Sequence, residues 1–129
     1  MDWKDPMAKK ILIIDDDLTI CALLEDTLAA AGYETDVTHD AVKGIEAALG
    51  ESQPDLILLD MQMPGGGATV FIQLGQDKRT KDIPVFFTTA LPESEVLGQI
   101  PNNPQCKGYF PKPFNFSAML PAIEKAVSK

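Results

Sequence analysis

At 129 residues the chain holds one domain, long enough for a proper core. With 45% apolar and 23% charged residues it has the make-up of an ordinary soluble globular protein, and no apolar run approaches the roughly 20 residues of a membrane span. A net charge of −8 argues against a nucleic-acid or anionic-membrane surface, which needs clustered Lys and Arg, but suits a basic protein partner.

Residues 1–8 are polar, carry the only tryptophan, Trp3, and lack the apolar stretch of a signal peptide. They read as an N-terminal extension or a cloning remnant with Met7 as the start, set apart from a domain over residues 9–129. Residues 10–14 form a first strand that runs straight into Asp15-Asp16-Asp17. Leu18, Ile20, Leu23, Leu24, Thr27, Leu28 and Ala31 recur at helical spacing and Gly32 follows, so a helix is expected over about 18–31. Residues 33–38 are β-prone. Asp40 can cap a helix to residue 49 built on Ala41, Ile45, Ala48 and Leu49. A loop over 50–53 leads to a third strand at 55–59, whose run Leu56-Ile57-Leu58-Leu59 reads as buried on both faces, as in a parallel sheet. Asp60 ends that run, and Pro64 bars its continuation.

Gly65-Gly66-Gly67 opens a poor helix over about 68–76, weakened again by Gly75. Residues 83–89 form a fourth strand with Pro84 at its start. Residues 93–100 can make about two helical turns before Pro101 and Pro104 stop them. A short fifth strand at 108–111 leads into Lys112-Pro113-Phe114, and a last helix runs to about residue 127. Pro121 falls inside that helix if Asn115 caps it, so either Ser117 is the cap or the helix bends. Cys21 and Cys106 make no disulfide framework, which points to a reducing, cytoplasmic setting. The alternation of strands and helices implies an α/β fold: a doubly wound five-stranded parallel sheet with helices on both faces.

In such sheets ligands bind at the carboxyl ends of the strands. There the chain delivers Asp15 and Asp16 from strand one, Asp60 from strand three, Thr88 or Thr89 from strand four and Lys112 after strand five. Crowded carboxylates repel one another, and a divalent ion relieves them; oxygen-only ligation with few carboxylates suits Mg²⁺. A lysine and a hydroxyl beside a Mg²⁺–carboxylate cluster make a site for phosphoryl transfer, with a carboxylate as nucleophile. Each residue alone has a bland reading, as a helix cap or a surface turn; their conjunction on successive strand ends is what carries the chemistry. His39, the only histidine, reads as a strand end or loop residue without a metal or phosphoryl role. Phe86, Phe87, Phe110 and Phe114 read as core, and Cys21 as a small helix residue packing near it.

These pieces together resemble the receiver domain of bacterial two-component response regulators. The resemblance rests on Ile11-Leu12-Ile13-Ile14-Asp15-Asp16-Asp17, on Ala31-Gly32-Tyr33-Glu34, and on Pro54-Asp55 through Asp60-Met61-Gln62-Met63-Pro64. It continues in Ile83-Pro84-Val85 through Thr89-Ala90 and in Tyr109-Phe110-Pro111-Lys112-Pro113-Phe114, covering residues 9 to 127. It implies a flavodoxin-like strand order 2-1-3-4-5 and a phosphoacceptor, Asp60, serving a histidine kinase or phosphotransfer protein. It further implies Mg²⁺ held by Asp16, Asp60 and the backbone carbonyl of Gln62, with Asp15 holding metal-bound water. Lys112 would pair with phosphoryl oxygens, Thr89 rather than Thr88 would be the switch hydroxyl, Tyr109 the switch aromatic, and the bond before Pro113 cis. Output would pass to a protein effector.

The chain departs from the family pattern at Gly65-Gly66-Gly67-Ala68, at the short fourth helix and at Pro121. Two other readings compete with a phosphorylated signalling module. One is a pseudo-receiver, the same fold acting as a phosphorylation-independent interaction module. The other is a phosphatase of haloacid-dehalogenase type, with Asp15 as nucleophile and Asp17 as general acid; it lacks the late acidic pair it needs and leaves Asp60 unexplained.

Overall fold

The computed structural model describes residues 8–128. Apart from Ala8, the extension expected at residues 1–8 lies outside the described residues. Ten elements alternate: β1 (Lys10–Ile14), α1 (Leu18–Ala30), β2 (Glu34–Thr38), α2 (Ala41–Ala48), β3 (Leu56–Asp60), α3 (Gly67–Gln76), β4 (Val85–Thr89), α4 (Glu93–Leu97), β5 (Cys106–Pro111) and α5 (Phe116–Val127). The strands form one parallel sheet in the order β2-β1-β3-β4-β5.

The two-residue period of a strand sorts its side chains between two cores. Leu12, Ile14, Ile57, Leu59, Val85 and Phe87 point to one face, where Ala48, Val70, Phe71, Leu74 and Val96 of α2, α3 and α4 cover them. Ile11, Ile13, Leu56, Leu58 and Phe86 point to the other, under Cys21, Leu24 and Leu28 of α1 and Met119, Ile123 and Val127 of α5. The central strands β1, β3 and β4 are therefore buried along almost their whole length and polar only at their ends, at Lys10, Asp60, Thr88 and Thr89, whereas the edge strand β2 is half-buried and mostly polar. Phe86 and Phe87 lie on opposite faces, stacked on Phe110 at 4.6 Å and set edge-on to Phe71 at 5.2 Å.

Helix ends follow local chemistry. Asp17 Oδ1 accepts from Thr19 N and Ile20 N at 2.9 and 3.1 Å and starts α1. Gly32, at φ 98°, ends it: its N–H and that of Tyr33 donate to Ala29 O and Leu28 O, both at 3.0 Å. Asp40 caps α2 through Lys43 N at 2.8 Å. Asn115, not Ser117, caps α5, so Pro121 does lie within the helix. Pro121 has no N–H for the Ser117 carbonyl; both residues are exposed, and water can take that place.

Three elements differ from their expected ranges by two residues or more, and β4 is one, beginning at Val85 and not at residue 83. α4 stops at Leu97 and not near residue 100, with Gly98 as its last cap. β5 begins at Cys106 and not at 108, because a bulge skips Lys107: Val85 lies opposite Cys106, and Phe86 opposite Gly108. Gly108 has φ 147° there, beside the Phe86 ring.

Candidate functional site

Four strands deliver the expected residues to one rim. Asp15 follows β1, Asp60 closes β3, Thr88 and Thr89 close β4, and Lys112 follows β5. Asp15 and Asp60 are buried, at 1% and 3% exposure, while Asp16 is exposed. A carboxylate oxygen from each of the three lies within 4.8 Å of the others. Lys112 Nζ sits between two of them, 2.9 Å from Asp15 Oδ2 and 3.5 Å from Asp60 Oδ1. Three carboxylates against one ammonium leave a surplus of negative charge in a largely dry place. Their donor set, all oxygen and partly open to solvent at Asp16, fits a hard divalent cation.

Burial, then the charge of Asp15, pushes the Asp60 carboxyl up from 3.8 to about 6, against the opposing pull of the Gln62 N–H and of Lys112. Burial by itself would lower Lys112; the hydrogen bond to Asp15 and the charges of Asp60 and Asp15 outweigh it, and the net shift is upward. Lys112 is therefore a fixed positive charge at neutral pH.

Backbone contacts hold the surrounding loops. Asp15 Oδ1 accepts from Asp17 N at 2.9 Å, and Asp60 Oδ1 from Gln62 N at 3.1 Å. Gly67 N donates to Met61 O at 3.3 Å, so α3 starts one residue earlier than expected, pressed on the end of β3. A Cβ on Gly67 would stand 2.2 Å from Asp60 O, which only glycine avoids. Gly65 and Gly66 hold φ values of 91° and 80°, a left-handed path that other residues resist. The glycine run is thus what lets the loop after Pro64 fold back onto Asp60.

Thr89 is fully buried; its Oγ1 accepts from Leu91 N at 2.9 Å, and its carbonyl accepts from Lys112 N at 2.8 Å. Thr88 is paired opposite Asp60 in the ladder. Tyr109, opposite Phe87, is half-buried against the core under α3 and α4. The Gln62 side chain is exposed. The Lys112–Pro113 bond is cis.

Two further residues meet the site. His39 Nδ1 lies 3.0 Å from the carbonyl oxygen of Asp15, and Cys21 Sγ lies 3.3 Å from the same atom. Neither spacing nor residue type flags this contact. The signal that could have found it is register: Ile14 is paired with Thr38, so His39, the residue just past β2, comes beside Asp15.

The sequence pattern of the response regulator receiver domain matches residues 11–124, which span all five strand ends of this site. The chain belongs to that family. This receiver is 41% identical over 120 residues to the DNA-binding dual master transcriptional regulator RpaA of Synechocystis sp., across 88% of the chain and 47% of RpaA. It therefore spans less than half of that relative's length. It is 31% identical over 119 residues to the polar-differentiation response regulator DivK of Brucella ovis, across 92% of the chain and 95% of DivK. In fold it is similar to the receiver domain of the sensor histidine kinase PA1611 from Pseudomonas aeruginosa, at 19% identity and a TM-score of 0.82 over 95% of the chain and 99% of that domain. That structure carries a magnesium ion coordinated in its active-site cleft. The receiver described here is thus a module of two-component signalling, and none of its described helices is long and apolar enough to cross a membrane.

Proposed function

We propose that this receiver, over residues 9–129, accepts a phosphoryl group on Asp60 from a histidine kinase or phosphotransfer protein, with Mg²⁺ as cofactor, and relays the change to a protein effector in the cytoplasm. The observation that carries the reading is Lys112 Nζ, held at 2.9 Å from Asp15 and 3.5 Å from Asp60 inside a three-carboxylate cluster.

An Asp60 carboxylate oxygen attacks the phosphorus of a phosphohistidine; the P–N bond breaks, and the imidazole leaves with the electron pair and is protonated. With a pKa of about 6, Asp60 is mostly ionised at neutral pH and can serve as nucleophile. Lys112 offsets charge on the phosphoryl oxygens as they spread in the transition state. Asp16, Asp60 and the Gln62 carbonyl would hold Mg²⁺, with Asp15 beside them fixing Lys112 by the 2.9 Å hydrogen bond. When bound, the ion would supply further stabilisation of the developing negative charge. Thr89 accepts from Leu91 N and keeps its own O–H to donate to the new phosphoryl group. Tyr109, on the same face of the sheet as Thr89, follows that movement as the switch aromatic. Asp17 is committed to capping α1, which disfavours the phosphatase reading that needs it as general acid.

The test is incubation with Mg²⁺ and acetyl phosphate, read by intact mass, with Asp60→Ala alongside. A Mg²⁺-dependent adduct of one phosphate is expected in the wild type and absent from the variant. No adduct on folded wild-type protein would make the chain a phosphorylation-independent interaction module. An adduct surviving Asp60→Ala would place the nucleophile elsewhere, with Asp15 the first candidate.

A further inference from the structure

We infer that His39 and Cys21 are positioning residues for the cation end of the site: together they hold the peptide between Asp15 and Asp16 so that the Asp16 carboxylate faces the cation. This rests on the phosphoacceptor reading above.

The carbonyl of Asp15 has two lone pairs, and both are met, by His39 Nδ1 at 3.0 Å and by Cys21 Sγ at 3.3 Å. The two donors come from different elements. Cys21 is buried on α1, and His39 stands just past β2. The N–H of Asp15 donates to Thr38 O at 3.1 Å, so the peptides before and after Asp15 are both tied to the β2 end. A carbonyl only accepts, so His39 carries its proton on Nδ1. The Cys21 thiol donates to the same oxygen, so it is held there as S–H.

What this bracing serves follows from the neighbouring residue. The Asp15 side chain is already fixed, by Lys112 on Oδ2 and Asp17 N on Oδ1. The Asp16 carboxylate has no hydrogen-bond or ion-pair partner among the described residues, yet it reaches within 4.8 Å of the other two. Its aim is inherited from the peptide it hangs from, and the oxygen of that peptide is the one His39 and Cys21 hold. Cys21 Sγ and His39 Nδ1 are 3.8 Å apart, a spacing open to a soft metal as well. Two side-chain ligands, one of them a protonated thiol, fall short of a structural metal set. Groups that act through a ligand in this way typically change metal affinity by about 10–100-fold when removed.

The experiment is calorimetric titration of the folded protein with Mg²⁺, together with the rate of acetyl phosphate adduct formation as a function of Mg²⁺. His39→Ala is expected to raise the Mg²⁺ Kd about tenfold. His39→Asn keeps an N–H near the Nδ1 position and is expected to stay within about threefold of wild type by the same scale. In His39→Ala the Mg²⁺ needed for half-maximal rate rises, while the rate at saturating Mg²⁺ stays near wild type. A merely structural role would lower thermal stability and leave both Mg²⁺ constants unmoved. A folded His39→Ala with the wild-type Kd, or a weakened Kd not restored by Asn, overturns the inference. Should His39→Ala fail to fold, Cys21→Ser against Cys21→Ala decides it: equal Mg²⁺ affinity in the two overturns it, since only serine retains a donor. Wild-type protein that binds no Mg²⁺ would sink the phosphoacceptor reading itself, and that result is recognised without any variant.

Discussion

At the carboxyl rim of the sheet the receiver buries Asp15 and Asp60 and half-buries Lys112; at the amino rim it buries Thr80 and Gln105. The two buried polar side chains of the amino rim are uncharged. Thr80 Oγ1 donates to Leu74 O at 2.7 Å, and Gln105 Nε2 donates to Thr80 O at 2.7 Å and Ile83 O at 2.9 Å. Gln53 does similar work nearby, with Nε2 at 2.9 Å from both Ala48 O and Arg79 O. These amides staple loops that have no ladder of their own, and each bond made in a buried place stabilises the fold. The carboxyl rim instead buries carboxylates, and that burial first, then the charge of Asp15, raises the Asp60 carboxyl. One rim ties loops with uncharged side chains and the other buries carboxylates, on the same five strands.

That contrast can be broken by substitution. The largest effect is expected at Gly67, where a Cβ would overlap the backbone of Asp60 and Met61. Gly67→Ala should cost about 3 kcal/mol in urea unfolding and slow adduct formation as well, because the clash falls on the end of the strand that carries Asp60. Gln105→Ala, at the amino rim, should cost about 2 kcal/mol by leaving the Thr80 and Ile83 carbonyls without their donor, and should leave Mg²⁺ affinity unchanged. A matching loss of Mg²⁺ affinity there would mean that the two rims are not independent.

Removing the charge at the other rim should do the reverse. Folded Asp60 keeps its proton to about pH 6, whereas the unfolded carboxyl loses it near 3.8. As pH rises through that window the unfolded state releases a proton that the folded state retains, so stability falls and then levels off above it. Without Mg²⁺, Asp60→Asn should therefore be more stable than wild type by about 1–2 kcal/mol at pH 7, with the gap closing below pH 4. Equal stability at pH 7 would show that Lys112 already balances the cluster. The smallest effect is Mg²⁺ itself, which at tenfold its Kd should stabilise the wild type by about 1.4 kcal/mol and protein lacking Asp16 by less. Thermal melts with and without EDTA read it.

Most of the fold is legible along the chain because it is written in local terms. The apolar runs 11–14, 56–59 and 85–87, the caps Asp17, Asp40 and Asn115, and the stop at Gly32 each depend on near neighbours. The start of β5 is not local: Cys106-Lys107-Gly108 joins the sheet only because a bulge lets Lys107 be skipped, and a charge and a glycine hide that from any strand pattern. Gly75 reads as a weakness of α3, and its reason lies elsewhere in the chain. A Cβ there would press on Asn103 Nδ2 at 3.0 Å and Gln105 Oε1 at 3.4 Å.

The acidic and basic members of the site were visible because strand ends in a parallel sheet converge by topology, so Asp15, Asp60 and Lys112 need only the right element order to meet. What sequence determined unaided is therefore the alternation of elements, the two-faced burial of the central strands and the residue types brought to one rim. Tertiary structure alone decided how those residues are held. It set Lys112 nearer Asp15 than Asp60, pressed Gly67 onto the Asp60 carbonyl, and brought His39 and Cys21 to one oxygen from 24 and 6 residues away. Periodicity reports which face a residue takes; distance across a register, burial and the sharing of one acceptor arise only when separate elements pack.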